Sequence, residues 1–296
     1  MPALADPSDA MERERRLDAV LTMVQSRLLP LLPGGVVHHT GRALWAMSAT
    51  TLAGSNGVLR YDARRFRGPD SERELDTCLA VMSTSDLPWT FSVWDHLGGE
   101  VLQAELQRRG FVAASTSTAV WLDLPATVPA PFPGPRTQLR RVVTAEDGRD
   151  WAAVHGEVFG APCARLVEVV RHPSSASLVA VRDGTPVGVV SMARADGVAV
   201  IFHCGVLPGA RRQGIGRLLV EAACAEVRAT GIRACVAMAS EAATPLAQSL
   251  GAVRTTRVTL MAPGSPGHWV NRRSPVLTGD GGEPRLRLLS HRCLRH

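Results

Sequence analysis

The sequence predicts an α/β protein with a mixed sheet, organised as two domains. A glycine-rich turn at residues 211–216, Arg-Arg-Gln-Gly-Ile-Gly, separates a strand pattern from a helical pattern. Residues 139–262 show strand and helix patterns in the order strand, two helices, three strands, helix, strand, helix, strand, which indicates an α/β domain. The proline-rich residues 126–138 predict a semi-rigid linker between this region and residues 1–125. With 296 residues, the chain is long enough for two domains.

Hydrophobic periodicity and turn residues place the elements of the second domain. A short strand at 141–143 precedes helices through 150–158 and 166–170, and Asp183-Gly184 joins strands 177–182 and 186–192 as a hairpin turn. A strand at 198–206 leads through the glycine-rich turn into a helix from 215 to 227. A strand at 232–238, a short helix at 245–250 and a strand at 253–261 complete the domain. Residues 263–296 show little periodicity, and we expect a poorly ordered tail.

Residues 1–125 carry a related but weaker pattern. It predicts a helix over 17–28, strands at 45–51, 58–61 and 89–94, a helix over 101–109 and a strand at 119–124. The ending of helix, glycine and strand is the same as the ending of residues 139–262. We interpret residues 1–125 as a degenerate copy of the second domain; the alternative is an unrelated α/β domain.

The glycine-rich turn predicts a phosphate site. A turn that opens a helix presents several unpaired backbone N–H groups, and these donors and the helix dipole attract phosphate. The turn is not a P-loop, because no Gly-Lys-Ser/Thr follows Gly216, and the G-x-G-x-x-G spacing of dinucleotide-binding turns is absent.

The pattern Arg/Gln-x-x-Gly-x-Gly/Ala, preceded here by Val206-Leu207-Pro208, resembles the acyl-CoA pyrophosphate loop of the GNAT superfamily of N-acetyltransferases. The order of elements in residues 139–262 is also similar to that family's. The resemblance implies the GNAT acyl-CoA N-acyltransferase fold, with acetyl-CoA as co-substrate. Residues 1–125 contain no such loop. Two domains of which only the second carries the loop are a layout similar to that of tandem members such as mycothiol synthase, in which the second copy is active. The implied acyl-CoA-binding residues are Arg211, Arg212, Gln213, Gly214, Ile215, Gly216 and Arg217.

The resemblance also implies where the chemistry takes place. In the family mechanism, an amine attacks the thioester directly in a ternary complex, and backbone N–H groups stabilise the oxyanion. The corresponding residues here are Cys204, Gly205 and Val206, and a glycine at 205 fits a β-bulge.

The general base of the family has no direct counterpart. Its usual positions correspond to Val200 and Phe202, which cannot accept a proton. His203 lies between them and is the leading candidate, provided that a bulge turns it away from the face that strand alternation gives it. A structural histidine is the alternative role for His203, and His155 and Glu157 are further candidates for the base.

The family's acid, a tyrosine, is missing as well. Its position corresponds to Ala247, and the one tyrosine, Tyr61, lies in the other domain. Ser249 is the candidate acid, with Ser240 and water as alternatives.

These features predict an N-acetyltransferase that moves an acetyl group from acetyl-CoA to a primary amine of a small molecule. Two alternatives stay open: a non-catalytic acyl-CoA-binding or scaffold protein, and a GNAT-fold transferase that uses another acyl or aminoacyl donor. An apolar floor formed by Val200 and Phe202 favours a small or apolar amine over a polycation.

Composition limits the partners. The net charge of +6 comes from scattered arginines, so we expect no nucleic acid, and no apolar run reaches the length of about 20 residues that spans a membrane. The six cysteines show no metal-site spacing. We therefore expect reduced thiols, no metal, a cytoplasmic location, and a monomer or homodimer.

Overall fold

A computed structural model describes residues 7–50, 55–125, 136–160, 166–173 and 175–264. Most of the predicted linker and nearly all of the predicted tail lie outside these residues. The helices of the described chain are α1 Pro7–Leu28, α2 Gly68–Met82, α3 Gly99–Arg108, α4 Ala145–Phe159, α5 Val167–Arg171, α6 Ile215–Ala229 and α7 Thr244–Ser249. Its strands are β1 Val36–His39, β2 Ala43–Met47, β3 Gly57–Tyr61, β4 Thr90–Trp94, β5 Phe111–Asp123, β6 Thr137–Arg141, β7 Ser175–Arg182, β8 Thr185–Ala195, β9 Val198–Val206, β10 Ala234–Ser240 and β11 Val253–Pro263.

These strands form one mixed sheet in the order β1-β2-β3-β4-β11-β5-β10-β9-β8-β7-β6. Helices cover both faces. The apolar side chains of α1, α4 and α5 share one core with Trp121 and Val236 of the sheet. On the opposite face, α6 packs on β7 to β10, and α2 and α3 pack on β2 to β4. The α/β fold class with a mixed sheet is confirmed.

The two halves of the chain exchange their last strands. Strand β5 precedes the linker, yet it lies between β10 and β11 and is antiparallel to both. Strand β11 belongs to the second half and pairs antiparallel with β4 of the first half. Neither half therefore completes its sheet without the other.

Element order repeats between the halves. The sequence β1-β2-β3-α2-β4-α3-β5 has the same order as β7-β8-β9-α6-β10-α7-β11. The last rung of the parallel pair β3–β4 joins Val58 to Phe91, and that of β9–β10 joins Ile201 to Ala237. Both pairs diverge beyond this rung, which gives an N-terminal fork between β3 and β4 and a C-terminal fork between β9 and β10.

The strand register identifies a residue beside the N-terminal fork that is equivalent to a residue beside the C-terminal fork. Trp94 ends β4 and pairs with Val258, whereas Ser240 ends β10 and pairs with Ser117. Val258 and Ser117 also pair with each other. A pseudo-twofold axis therefore passes through this rung and relates Trp94 to Ser240.

Every helix and strand predicted from the sequence is present, with shifted ends. Strand β5 begins at Phe111 rather than at residue 119, because its exposed residues 112–116 pair with β11 although they lack an alternating pattern. The hairpin turn adopts the positive φ angles that its residues favour, 49° at Asp183 and 81° at Gly184. Strand β1 and helix α2 have no counterpart among the predictions.

Within the described residues, no helix is long and apolar enough to cross a membrane. Cys78, Cys224 and Cys235 are buried free thiols, and Cys204 is an exposed one. The remaining two cysteines, at positions 163 and 293, lie outside the described residues.

The strand exchange predicts that the halves depend on each other. Residues 1–125 and 136–296, produced as separate chains in one cell, should form a stable one-to-one complex, because β5 fills the gap between β10 and β11. Each fragment alone should aggregate, since it exposes unpaired strand edges. Co-purification and size-exclusion chromatography measure this, and a folded, monomeric 136–296 fragment would contradict it.

Candidate active site

The C-terminal fork opens where β9 leaves β10. The strands pair from Val198 and Ala234 to Ile201 and Ala237, and residues 202–206 continue without β10 as a partner. Strand β8 lies on the other side of β9, and its register there shifts by one residue, so that β9 contains a β-bulge at residues 203–204. This geometry leaves one side of the β9 backbone open to a ligand.

The bulge turns His203 toward α4. Its φ of 53° lies in the left-handed region, where histidine is enriched among residues other than glycine. The imidazole lies 4.6 Å from the ring of His155, 4.8 Å from that of Phe202 and 5.7 Å from that of Trp151. His203 and Phe202 therefore contact the same core, against the alternation of a regular strand.

Gly205 lets α4 approach the bulge. A Cβ at this position would lie 2.6 Å from Cγ1 of Val158 and 3.1 Å from the ring of Phe159. Glycine is required here for close packing of α4 on the strand.

Burial keeps both histidines neutral. It lowers the pKa of His203 to about 3, with a smaller contribution from His155, and lowers the pKa of His155 to about 4. Nδ1 of His203 is buried and has no hydrogen-bond partner in the described part of the chain. His203 is thus neutral near pH 7 and is a weak proton acceptor.

The glycine-rich turn leads into α6 with the geometry of an anion site. Gly214 precedes the helix with a φ of 79°, and no side chain caps the first turn. A Cβ at Gly214 would meet no atom within 4 Å, so the space in front of the backbone N–H groups that begin α6 is open. The turn is held by Nε of Arg211, which donates to the Val206 carbonyl at 3.0 Å, and by Nε2 of Gln213, which donates to the Gly209 carbonyl at 3.3 Å.

Cationic side chains surround this turn. Arg211 and Arg212 are exposed, and neither forms an ion pair with another described residue. Arg217 pairs with Glu221 at 2.7 Å. The donor groups and the two unpaired guanidinium groups together fit a pyrophosphate.

The predicted acid positions carry no available hydroxyl on α7. Ala247 packs beside Val120 and Ala239. Ser249 is exposed, and its Oγ donates to the Leu246 carbonyl at 2.8 Å. Ser240 is exposed at the end of β10 and is the hydroxyl nearest to the fork along that strand.

Apolar side chains flank the fork on the α4 face. Phe159 is 45% exposed, Met238 is 46% exposed, and Phe202 is half-buried. Val200 is buried in the core, so it does not form the predicted floor. The sequence predicts Phe159 as a lining residue of the acceptor site; it also carries a signal for its neighbours, because Trp151, His155 and Phe159 recur at a spacing of four, which places them on one face of a helix.

Comparisons with known proteins support the fold. Residues 138–252 match the model of the acetyltransferase (GNAT) family. The fold is similar to a GCN5-related N-acetyltransferase from Kribbella flavida, with a TM-score of 0.63, 18% identity, and coverage of 84% of this chain and 96% of that one. It is also similar to one from Sphaerobacter thermophilus, with a TM-score of 0.58, 17% identity, and coverage of 76% and 82%.

A third similar structure is a tandem GNAT protein from the clavulanic acid biosynthesis pathway, with a TM-score of 0.54, 17% identity, and coverage of 84% and 89%. No curated protein matches the chain in sequence. At these identities the structures establish the fold alone, and the family model matches residues 138–252 only.

The two buried histidines predict an acid-sensitive fold. Below about pH 6.5 the unfolded chain binds protons at these histidines and the folded chain does not, so the free energy of unfolding should fall by about 1.4 kcal/mol per pH unit for each. The loss continues down to the folded pKa of about 4 for His155 and about 3 for His203.

Urea unfolding between pH 7 and pH 4 measures this effect. His155→Phe and His203→Asn should each flatten the slope, because the phenyl ring keeps the packing and asparagine tolerates positive φ. His39→Gln is the control at an exposed position and should leave the slope unchanged. An unchanged slope in both of the buried variants would contradict the assignment.

Proposed function

We propose that the chain transfers an acetyl group from acetyl-CoA to the primary amine of a small apolar molecule, because residues 138–252 match the model of the acetyltransferase (GNAT) family. The observation that carries the proposal is the open C-terminal fork beside an uncapped helix start at Gly214. Together they offer a place for a pyrophosphate at one end and for a thioester at the other.

The donor would bind along β9. Its pyrophosphate would accept hydrogen bonds from the backbone of residues 212–217, with Arg211 and Arg212 neutralising charge. The acyl arm would then run into the fork, where residues 202–206 have no β10 partner. An intact pyrophosphate turn favours an acyl-CoA over an aminoacyl-tRNA as donor.

The reaction would proceed by direct attack. The neutral amine nitrogen forms a bond to the thioester carbonyl carbon, and negative charge develops on the oxygen. Backbone N–H groups in the segment Cys204, Gly205 and Val206 that point away from β8 would stabilise that charge. The nitrogen then loses a proton, the C–S bond breaks, and coenzyme A leaves as a thiolate. Positioning the two reactants in the fork supplies a further part of the rate.

The site would supply only a weak base to remove a proton from the amine. His203 is the candidate acceptor, but a base with a pKa of about 3 is far below the optimum near the working pH. Water is the alternative acceptor. The site therefore suits an amine that is already largely neutral near pH 7, and Phe159, Phe202 and Met238 suit an apolar one.

The leaving group would not need a dedicated acid. A thiol has a pKa of about 8.5, so its thiolate is a tolerable leaving group and water can protonate it. Ser240 is exposed next to the fork and is a second possible donor, whereas Ser249 is engaged by its own helix.

Release of the free thiol of coenzyme A from acetyl-CoA over a panel of aromatic, aliphatic and polycationic amines tests the proposal. We expect turnover with apolar amines, and kcat/KM should rise with pH up to the pKa of each acceptor amine. Measurable acetyl-CoA binding without thiol release for any amine would favour the scaffold alternative, which the absence of the family's acid and base motivates. Absence of acetyl-CoA binding would contradict both the acetyltransferase proposal and the scaffold alternative.

Gly214→Glu should abolish acetyl-CoA binding. The side chain would enter the open space before α6 and oppose the pyrophosphate by volume and by charge. We expect a loss of affinity of at least about 100-fold in calorimetry, as several charge-assisted hydrogen bonds are lost. Gly214→Asn tolerates the positive φ without charge and should lose much less. Unchanged affinity in the glutamate variant would show that the pyrophosphate binds elsewhere.

Ser240→Trp should close the C-terminal fork, because the equivalent residue of the other half is Trp94. We expect the affinity for acetyl-CoA to fall at least about tenfold while the thermal midpoint stays within a few degrees, since residue 240 is exposed. Glu241→Trp, at the next exposed position, is the control for an added indole. Wild-type turnover in Ser240→Trp would contradict the equivalence.

A further inference from the structure

The N-terminal fork is closed by its own side chain. The indole Nε1 of Trp94 donates to the Leu59 carbonyl at 2.9 Å, and Trp94 is 5% exposed. The backbone beyond β3 pairs with the chain beyond β4, since the Ala63 N–H donates to the Leu97 carbonyl at 2.7 Å. The space left beside Leu59 and Trp94 is about 10 Å³, which cannot hold an acyl group.

A larger cavity of about 390 Å³ adjoins this closed fork. It lies beside the chain that follows β4, against β11 and the first half of α1. Its volume falls within the range of about 300–1,000 Å³ that is usual for small-molecule sites. The lining residues are Glu14, Asp95, His96, Thr118, Arg254, Thr255, Thr256 and Arg257.

The cavity presents one unpaired charge of each sign. Asp95 and Arg257 neutralise each other at 3.1 Å. Glu14 is half-buried and forms no ion pair with another described residue, and burial raises its pKa. Arg254 has no acidic partner in the described part of the chain either, and its one hydrogen bond there runs to Oγ1 of Thr118 at 3.4 Å.

His96 adds an oriented polar atom to the same cavity. Its Nδ1 lies 3.1 Å from Oγ1 of Thr256, which also accepts from the His96 backbone N–H at 3.2 Å. Its Nε2 is buried and has no partner among the described residues. His96 itself lines the cavity, and its contact with Thr256 fixes the orientation of the ring.

We propose that this cavity is a second ligand site, which binds a small zwitterion of the free α-amino acid type. Its ammonium group lies at Glu14, and its carboxylate lies at Arg254. The site takes no acyl-CoA, because Trp94 closes the fork. The first half thus has a closed fork beside a cavity that it shares with β11.

Calorimetric titration of the full chain, without acetyl-CoA, tests the site. The probes are L-alanine, L-phenylalanine, L-glutamate and L-arginine, each with its carboxamide and its N-acetyl derivative. We expect at least one free amino acid to bind in a one-to-one ratio. Its carboxamide and N-acetyl forms should bind at least about tenfold more weakly, because each lacks one of the two charges.

Substitutions locate the binding. Arg254→Ala and Glu14→Gln should each weaken the probe at least about tenfold. Arg149→Ala and Glu72→Gln, at exposed positions outside the cavity, should bind it as the wild type does. Ser240→Trp should also keep the binding, which separates this site from the C-terminal fork and its acetyl transfer. The proposal is overturned if no probe binds, if both cavity variants bind normally, or if Ser240→Trp alone removes the binding.

Discussion

The antiparallel pairing of β5 with β11 is the constraint on which the rest of the structure depends. Each of these strands closes the sheet of the half to which it does not belong by sequence. The pairing therefore joins two short sheets into one, and it fixes both forks at a set distance from a common axis. Helix α1 reinforces it, because its apolar side packs on the joined sheet together with α4. The halves cannot separate without exposing unpaired strand edges and this shared core.

The candidate site relies on local departures from regular structure that the rigid sheet can support. A left-handed φ at His203, a glycine under α4 and a left-handed φ at Gly214 each carry a conformational cost, of about 1–3 kcal/mol for the histidine. Such positions persist only where the surroundings determine them, and they cluster where a ligand binds. The bulge frees one side of β9, and Gly214 opens the front of α6, so both departures serve the same proposed ligand.

The sequence predicted what depends on local pattern. Helix and strand periodicity, the hairpin at Asp183 and the glycine-rich turn are local, and each lies where it was expected. Strand exchange is not local, because which strand fills a gap depends on tertiary packing, and the exposed start of β5 lacks an alternating pattern that would indicate its pairing with β11. Val200 illustrates the same limit: its apolar character was visible, but whether it faces the fork or the core was not.

The two forks differ in how the backbone polar groups beside each of them are satisfied. A fork leaves main-chain groups without a strand partner, and buried groups of this kind are destabilising. In the first half, the indole of Trp94 satisfies the Leu59 carbonyl and fills the space. At the equivalent position, Ser240 neither satisfies a backbone carbonyl nor fills the space. The backbone polar groups of the C-terminal fork are therefore open to a ligand. A site that must accept a thioester cannot also be closed by its own side chain, which is the usual conflict between stability and function.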